Sequence, residues 1–366
     1  MKIIREVTDL KDKKVLLRVD FDVPLRRGSG QASEIEEPFR IKKQKETIDW
    51  LLEREARVVM VGHISDLKSF SDLVPQLHIL IGQEFDFIKS VADISAWLDG
   101  LGKIALLENV RHPSVAGDGK EEKNDPEFAK QLAEGFDIYV NNAFAVCHRD
   151  HASVSAITKV LPSYAGLLVE QEVTQLNKVI EAPKEGKVVI MGGAKASTKV
   201  PVIKNLIDKA ETILLGGVVA NDFLKEKGQD MGSSVVDENA HDLLMGLDLN
   251  DSRLVIPKDF VVFDNKILDV GDETMRQYID IISKAEMVIW NGPIGLFENP
   301  IFTKGTDEIA NAIISSKAIS VIGGGDTISA VGKLGILDKF NFVSTGGGAM
   351  LTFLAGDKLP GLEALK

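Results

Sequence analysis

Two glycine triplets stand where a predicted strand gives way to a predicted helix. Residues 323–325 are glycines within VIGGGDTISA, with Asp326 and Thr327 directly after them, and residues 346–348 are glycines within VSTGGGAM. Glycine permits positive φ and a close approach of the backbone, and the start of a helix offers unpaired N–H groups. Such turns suit phosphate oxygens, although tight turning alone explains any single glycine.

Charged side chains accompany these turns. Lys195 and Lys199 follow the two glycines of MGGAK, and the turns LGGVVA and NGPIG also end predicted strands. Ammonium groups there would meet phosphoryl oxygens, unless they are ordinary surface lysines. Asp326 could cap the helix or bring a carboxylate to a phosphate-bound Mg²⁺. Neither a P-loop nor a dinucleotide-binding fingerprint is present, so the generic phosphate motifs do not fit.

Basic side chains follow the predicted strand ends of the first half. They are Arg18 in RVDFDVP, His63 in VGHIS, Arg111 in ENVRHP, and His148, Arg149 and His151 after NNAFAVC. Arginine suits bidentate contacts with carboxylates and phosphates. If a sheet gathers these groups at one edge, they form an anion pocket.

Apolar runs alternate with helical stretches in both halves, which predicts βαβ units and parallel sheets. The runs are KKVLLRVDF, ARVVMVGHI, KIALLENV and DIYVNNAF, then KVVIMGGAK, TILLGGVVA, RLVIPKDFVVF, MVIWNGPIG, AISVIGGGD and FNFVSTGGG. Ligands of open α/β sheets bind beyond the carboxyl ends of the strands, where the charged turns lie. The stretch AGLLVEQEVTQLNKVIEAPKEGK is predicted to be a connecting helix that ends at its proline and glycine.

Composition limits the classes of function. A chain of 366 residues fits two domains. The net charge of −12 disfavours nucleic acid and anionic membranes as partners. No apolar run has the length of a membrane span or a signal peptide, which predicts a cytoplasmic location. The single cysteine, Cys147, is interpreted as a packed side chain rather than a nucleophile.

Motifs along almost the whole chain resemble those of one family, phosphoglycerate kinase. In the family's order and spacing occur RVDFDVP, LLENVR, EEKNDPEFAKQLA, HRDHAS, GGAKASTKV, VIWNGPIGLFE, KGT, IGGGDT and STGGGA followed by LPGLEAL. The resemblance implies an α/β fold of two Rossmann-like three-layer (αβα) domains with parallel sheets, joined by a hinge helix, with the active site in the interdomain cleft. It implies a phosphoglycerate-binding domain at 1–165, on which 350–366 pack back, an interdomain helix and hinge at 166–184, and a Mg-nucleotide domain at 185–349.

The activity implied is reversible phosphoryl transfer from 1,3-bisphosphoglycerate to ADP, giving 3-phosphoglycerate and ATP, by a monomer that uses Mg²⁺. The resemblance assigns the transfer step to Arg40, Lys195, Lys199, Gly325 and Gly348. It assigns the phosphoglycerate to Asp20, Asp22, Arg40, His63, Asp66, Arg111 and Arg149. It assigns the nucleotide to Gly193, Ala194, Lys199, Gly217, Asn291, Pro293, Gly295, Glu298, Gly323, Gly324, Gly325, Asp326 and Thr327, with Asp326 serving the metal.

Departures from the family pattern cluster in the first half. The family has R-V-D-F-N-V-P where this chain has Asp22 for the asparagine, and S-H-L-G-R-P where it reads G-H-I-S-D-L, so that Asp66 replaces an arginine that contacts substrate. Losing one charge-assisted hydrogen bond costs roughly 1.5–3 kcal/mol. Lys68, Arg26 or Arg27 could compensate.

Two other functions stay open at the level of sequence. One is a phosphotransferase of the same type that acts on a less anionic carboxylate, which only Asp22 and Asp66 favour. The other is a catalytically silent nucleotide-binding relative. The presence of Arg40, Lys195, Lys199 and Asp326 argues against the silent relative.

Overall fold

The chain forms two compact units, each built around one parallel sheet. The computed structural model describes residues 1–26, 33–117 and 119–366, to which every count below refers. The first unit comprises Met1–Thr174 and Lys358–Lys366, and the second comprises Gln175–Asp357. No described helix has the length and apolarity needed to cross a membrane.

The first unit contains a six-stranded sheet of order β5-β6-β4-β1-β7-β8, in which all neighbours are parallel. A short antiparallel ladder joins the other two strands, β2 and β3. The strands are β1 Lys14–Arg18, β2 Leu25–Arg26, β3 Glu34–Ile35, β4 Arg57–Val61, β5 Asp86–Ile88, β6 Ile104–Leu107, β7 Ile138–Asn141 and β8 Ser163–Ala165. The helices are α1 Phe39–Leu52, α2 Val74–Ile81, α3 Ile94–Asp99, α4 Pro113–Ala116 and α5 Pro126–Ala133.

Both faces of this sheet are buried, which explains why its strands are apolar throughout. Val15 and Leu17 of β1 belong to one core cluster, together with apolar residues of α1 and α2. Leu16, between them, belongs to a second cluster with residues of α3 and α5. Successive side chains of a strand point to opposite faces, so β1 supplies both cores.

Helix α6 Leu167–Glu181 runs across the boundary between the two units, which falls after Thr174. It ends two residues before Pro183, as the sequence analysis predicts, because a proline disfavours helical geometry in the residue that precedes it.

The second unit repeats the architecture of the first, with a parallel six-stranded sheet of order β11-β10-β9-β14-β15-β16. Its strands are β9 Lys187–Met191, β10 Thr212–Leu215, β11 Leu254–Val255, β12 Phe260–Phe263, β13 Lys266–Val270, β14 Met287–Asn291, β15 Ile319–Gly323 and β16 Phe342–Ser344. Its helices are α7 Ala196–Leu206, α8 Gly217–Glu226, α9 Ala240–Leu244, α10 Asp272–Ser283, α11 Lys304–Ser315, α12 Gly325–Lys333 and α13 Gly348–Leu354. The predicted pair of α/β halves with parallel sheets is confirmed.

One strand prediction is wrong, and two strands of the first six-stranded sheet were missed. The stretch RLVIPKDFVVF is not one strand, because Pro257 separates β11, which joins the sheet, from β12, which pairs with β13 in a separate antiparallel hairpin. Strands β5 and β8 were not predicted. Each has only three residues and lies at an edge of the first sheet, so its apolar run is too short to stand out.

The C-terminal segment packs within the first unit. Helix α14 Pro360–Glu363 follows the unit boundary, and the Gly361 N–H donates to the Cys147 carbonyl over 2.9 Å. A Cβ added at Gly361 would lie 2.7 Å from Val154 Cγ1 and 2.9 Å from Cys147 Cα. Any larger residue at 361 must therefore push this segment away from the unit.

We expect Gly361→Ala to lower the melting temperature by several degrees, since overpacking costs about 1–3 kcal/mol. Differential scanning calorimetry of the full chain measures the change. Gly332→Ala is the matched control, because the new Cβ would meet only Leu337 Cδ1, at 3.5 Å. Equal melting temperatures for the two variants would contradict the proposed packing.

Candidate active site

A buried arginine organises the carboxyl edge of the first sheet. Arg18 ends β1 and is fully buried. Its Nε donates to Ser153 Oγ over 2.9 Å, and its Nη2 lies 3.2 Å from His63 Nδ1. A third contact joins Nη1 to the Val19 carbonyl. Arg18 therefore spans the ends of β1 and β4 and the segment after β7.

Arg40 lies in the first turn of α1, against the segment that follows β1. Its Nη1 donates to the Asp22 carbonyl over 3.1 Å and lies 3.8 Å from Asp20 Oδ2. The Asp20 side chain is buried, whereas 20% of the Arg40 side chain is exposed. The buried Asp20 carboxylate is therefore paired with the Arg40 guanidinium, which remains partly exposed to solvent.

Asp22 contacts the loop that follows β4. Its Oδ1 accepts the Ser65 N–H over 2.8 Å, and its Oδ2 accepts the Ser65 hydroxyl over 3.1 Å and lies 3.2 Å from His63 Nε2. Burial acts to raise the pKa of Asp22, but the contacts with His63 and Ser65 outweigh it and hold the pKa well below its usual range. Asp22 is therefore ionised at neutral pH.

Arg111 and Arg149 form a cationic field with Arg18. Burial first, and then these three arginines, lower the pKa of His151 to about 4. Burial and Arg149 also lower the pKa of Arg111, whose Nε lies 3.1 Å from Glu122. His151 is neutral at physiological pH, so the positive charge of this edge is carried by arginines.

A buried carboxyl group linked to Arg18 was not predicted from the sequence. Glu121 is fully buried and accepts the Ser153 hydroxyl over 2.6 Å and the Ser153 N–H over 2.9 Å. Ser153 links it to Arg18. The motifs EEKNDPEFAKQLA and HRDHAS contain both residues, but nothing in either motif indicates that they meet.

The loop around Asp66 is less enclosed. Asp66 and Lys68 are exposed, and so is Arg26, which lies 4.0 Å from Glu36. Arg27, the other basic side chain considered as a compensating contact, lies outside the described residues. The structure thus brings together Asp20, Asp22, Arg40, His63, Arg111 and Arg149 at one edge, with Asp66 on its exposed side.

In the second unit, the order of the strands reverses between β9 and β14, and the turns after these strands touch. The Gly192 N–H donates to the Asn291 carbonyl over 2.9 Å, and the Gly193 N–H donates to the Pro293 carbonyl over 2.6 Å. A Cβ added at Gly292, where φ is +91°, would lie 2.1 Å from the Gly192 carbonyl oxygen. These glycines are required by backbone contact between neighbouring turns, whatever they bind.

A pocket of about 830 Å³, including the part open to solvent, lies at this edge of the second sheet. Seven residues that the sequence assigns to a nucleotide line it: Gly193, Ala194, Gly217, Pro293, Gly295, Glu298 and Asp326. Its remaining walls are mainly apolar. An apolar slot with a few polar groups at its mouth suits a flat heterocycle that carries charged substituents.

Much of the pocket wall comes from elements that the sequence did not connect with it. The β12–β13 hairpin contributes Phe260 and the residues of β13, including Asp269. Asp269 is buried and accepts the Gly305 N–H over 2.8 Å, and burial raises its pKa to about 6. Asn221 and Val235 complete the wall, and the side chain of the former donates to the carbonyl of the latter over 2.9 Å.

Lys195 and Lys199 lie in the first turn of α7 or directly before it. Lys195 has a positive φ of +65° and is exposed. Lys199 is buried, and its Nζ donates to the Ala194 carbonyl. Burial lowers the pKa of Lys199, and the negative charge of Asp326 partly opposes this. The electrostatic contact with Asp326 links the β9 turn to the first glycine triplet.

The two glycine triplets are neighbours, because β15 and β16 pair with Gly323 opposite Ser344. Thr327 is fully buried, and its hydroxyl accepts the Gly292 N–H over 2.7 Å, which ties the triplet after β15 to the turn after β14. At Gly324, where φ is +100°, an added Cβ would lie 2.9 Å from Asn291 Nδ2. The carboxyl edge is therefore one continuous set of contacting turns.

Within the described residues, no three His, Cys, Asp or Glu side chains converge on a metal site. Asp326 is a single exposed carboxylate at the start of α12. This fits Mg²⁺, which is commonly held by one or two carboxylates together with substrate phosphates.

Asp237 caps α7 from a distant part of the chain. Its Oδ2 accepts the Ala196 N–H over 2.8 Å, and its own N–H donates to buried Asp222 over 2.7 Å. Helix N-terminal N–H groups need such acceptors, and the negative charge suits the helix dipole.

Because a lost cap costs about 1 kcal/mol, we expect Asp237→Ala to lower the melting temperature of the full chain by about 2–4 °C. Glu238→Ala is the control, since it removes the same charge from an exposed neighbour. A melting temperature for Asp237→Ala that matches the control would exclude the capping role.

Known proteins match this chain over almost its whole length. The family model described as phosphoglycerate kinase matches residues 4–357. A phosphoglycerate kinase of Finegoldia magna is 38% identical over 98% of this chain and 97% of its own, and one of Acidobacterium capsulatum is 39% identical over the same shares. The crystal structure of phosphoglycerate kinase from Pyrococcus horikoshii superposes with a TM-score of 0.87 at 29% identity, covering 100% of this chain and 98% of that one. The chain therefore belongs to the phosphoglycerate kinase family.

Proposed function

We propose that this chain catalyses the reversible transfer of the acyl phosphate of 1,3-bisphosphoglycerate to ADP, giving 3-phosphoglycerate and ATP. The observation that carries the proposal is the family match across both units, since one reaction then requires both strand-end sites. The arginine-rich edge suits a substrate that carries a carboxylate and phosphates. The apolar pocket beside glycine turns suits a nucleotide.

In this proposal the nucleotide binds in the pocket of the second unit. Gly193, Ala194, Gly217, Asn291, Pro293 and Gly295 would contact it, and the exposed Glu298 would accept hydrogen bonds from the ribose hydroxyls. Lys199, Thr327 and the 323–325 turn would face the phosphates. Because the Thr327 hydroxyl already accepts the Gly292 N–H, its proton remains free to be donated to an oxygen.

Magnesium would arrive with the nucleotide and supply positive charge to its phosphate oxygens. Asp326 is the side chain that would hold it. The carboxylate stands in the turn that receives the phosphates, so binding of the ion and binding of the nucleotide would reinforce each other.

Phosphoryl transfer requires in-line positioning and positive charge around the equatorial oxygens, with little covalent chemistry from the protein. Lys195, Arg40 and the amides of residues 346–348 would surround the group in flight. Arg40 and Lys195 belong to different units, so we also propose that the units close on the bound substrates by bending near α6.

The carboxylates of the first unit do not favour a second function. The charge of Asp22 is offset by two hydrogen bonds from Ser65 and by its proximity to His63. We therefore retain the phosphoglycerate as substrate and assign its binding to Asp20, Arg40, His63, Arg111 and Arg149, with Asp22 and Asp66 beside it.

The chain is further proposed to act as a cytoplasmic monomer. Burial raises the pKa of its single thiol, Cys147, to about 12, so this cysteine is protonated and unreactive at neutral pH. That chemistry fits a reducing compartment.

A coupled assay with purified protein, ADP and 1,3-bisphosphoglycerate tests the function. We expect turnover by the natural chain, and a fall in kcat of about a hundredfold or more for Lys195→Ala and for Arg40→Ala, since each acts mainly in the transition state. Lys204→Ala on α7 and Lys43→Ala on α1 are the matched controls. An unchanged kcat in either active-site variant would remove that residue from the mechanism.

We expect Asp66→Arg to lower the KM for 3-phosphoglycerate by about tenfold or more, because it restores a charge-assisted contact. The KM for ATP should not change. Asp72→Arg makes the same charge change at an exposed position nearby and controls for general electrostatic attraction. Equal effects of the two substitutions would show that Asp66 does not face the triose.

A further inference from the structure

Asp22 and Ser65 both depart from the motifs of the family, and in the structure they contact each other. The motifs have asparagine at the position of Asp22 and glycine at that of Ser65. Here Asp22 accepts both the Ser65 N–H, over 2.8 Å, and the Ser65 hydroxyl, over 3.1 Å. Glycine has no hydroxyl, and an asparagine amide has only one acceptor oxygen, so the full set of contacts requires both changes.

The contact extends on one side to His63. Arg18 Nη2 can only donate, so His63 Nδ1, at 3.2 Å, must be the unprotonated nitrogen. The ring proton of neutral His63 is then on Nε2, which lies 3.2 Å from Asp22 Oδ2. Arg18 selects this tautomer of the buried ring, and the Asp22 carboxylate lies beside the nitrogen that carries the proton.

On the other side the contact extends to Arg111. Ser65 gives its hydroxyl proton to Asp22, and its oxygen accepts from Arg111 Nη1 over 3.4 Å. Glu122 holds the Nε side of the same guanidinium at 3.1 Å. Arg111 is thus held between Ser65 and Glu122, with a rim that remains open to solvent.

We propose that Asp22 and Ser65 act as a coupled positioning pair, which fixes His63 and Arg111 in the orientation that receives the phosphoglycerate. This inference rests on the proposed function. The carboxylate of Asp22 then favours binding of an anionic substrate, because it acts through the groups it orients. A preorganised arginine and histidine lose less conformational freedom when the ligand arrives.

The test combines a double-mutant cycle with calorimetric binding of 3-phosphoglycerate to the full chain. We expect Asp22→Asn and Ser65→Ala each to weaken binding by about tenfold. The double variant should be no weaker than the worse single variant, because both remove the same coupled contact. In the kinetic assay the KM for 3-phosphoglycerate should rise, while kcat and the KM for ATP change less than about twofold.

Ser71 and Asp72 provide a matched control, since the Ser71 hydroxyl donates to Asp72 over 3.3 Å at an exposed site. The Ser71→Ala and Asp72→Asn double variant should bind 3-phosphoglycerate as the natural chain does. NMR of isotope-labelled histidine, with His63 assigned through His63→Gln, should show its proton on Nε2 at neutral pH.

Tighter binding by Asp22→Asn would overturn the inference, because it would mean that the carboxylate repels the substrate. Independent, multiplicative effects of the two substitutions, or a proton on His63 Nδ1, would also overturn it. Failure of the natural chain to bind 3-phosphoglycerate would instead contradict the proposed function, and this inference with it.

Discussion

The backbone contact between the turns after β9 and β14 is the constraint on which the second unit's site depends. Gly192 and Gly292 approach so closely that neither position has room for a Cβ. This close approach sets the spacing of the β9 and β14 turns. The Thr327 hydroxyl accepts the Gly292 N–H, which joins the first glycine triplet to the same backbone. The pocket and the glycine turns after β9, β14 and β15 are therefore parts of one edge of directly contacting backbone.

The first unit gathers positive charge at the carboxyl edge of its sheet, within a protein of net charge −12. Its positive charge is local and is carried by arginines, whose charge does not vary with pH in the physiological range. Arg18 is fully buried and is stabilised from below by Ser153 and the buried Glu121. Burial and the same arginines lower the pKa of His151 and keep it neutral, so the positive charge at this edge does not depend on its protonation.

Two departures from the family motifs, at Asp22 and Ser65, have a physical account in the structure. Read singly, an added carboxylate at Asp22 should repel a substrate that is itself anionic. Its hydrogen bonds with Ser65 and its contact with His63 offset that charge and connect it to Arg111. Two substitutions that look unfavourable or neutral alone form one set of contacts.

The sequence by itself determined the class of fold and which glycine and charged residues follow the strand ends. Alternating apolar runs and glycine turns depend on local backbone geometry, which a linear pattern records. Charged residues directly after strands are also predictable, because parallel strands end at a common edge. Family motifs added the reaction and the roles proposed for single residues such as Lys195 and Arg40.

Only the tertiary structure decided which side chains meet. The contacts of Glu121 with Ser153, of Asp237 with Ala196 and of Asp22 with Ser65 each join segments that are tens of residues apart. The β12–β13 hairpin forms part of the pocket wall, although the sequence analysis read β12 as part of a longer strand and did not predict β13. Such contacts arise from the packing of separate elements, and no local propensity encodes them.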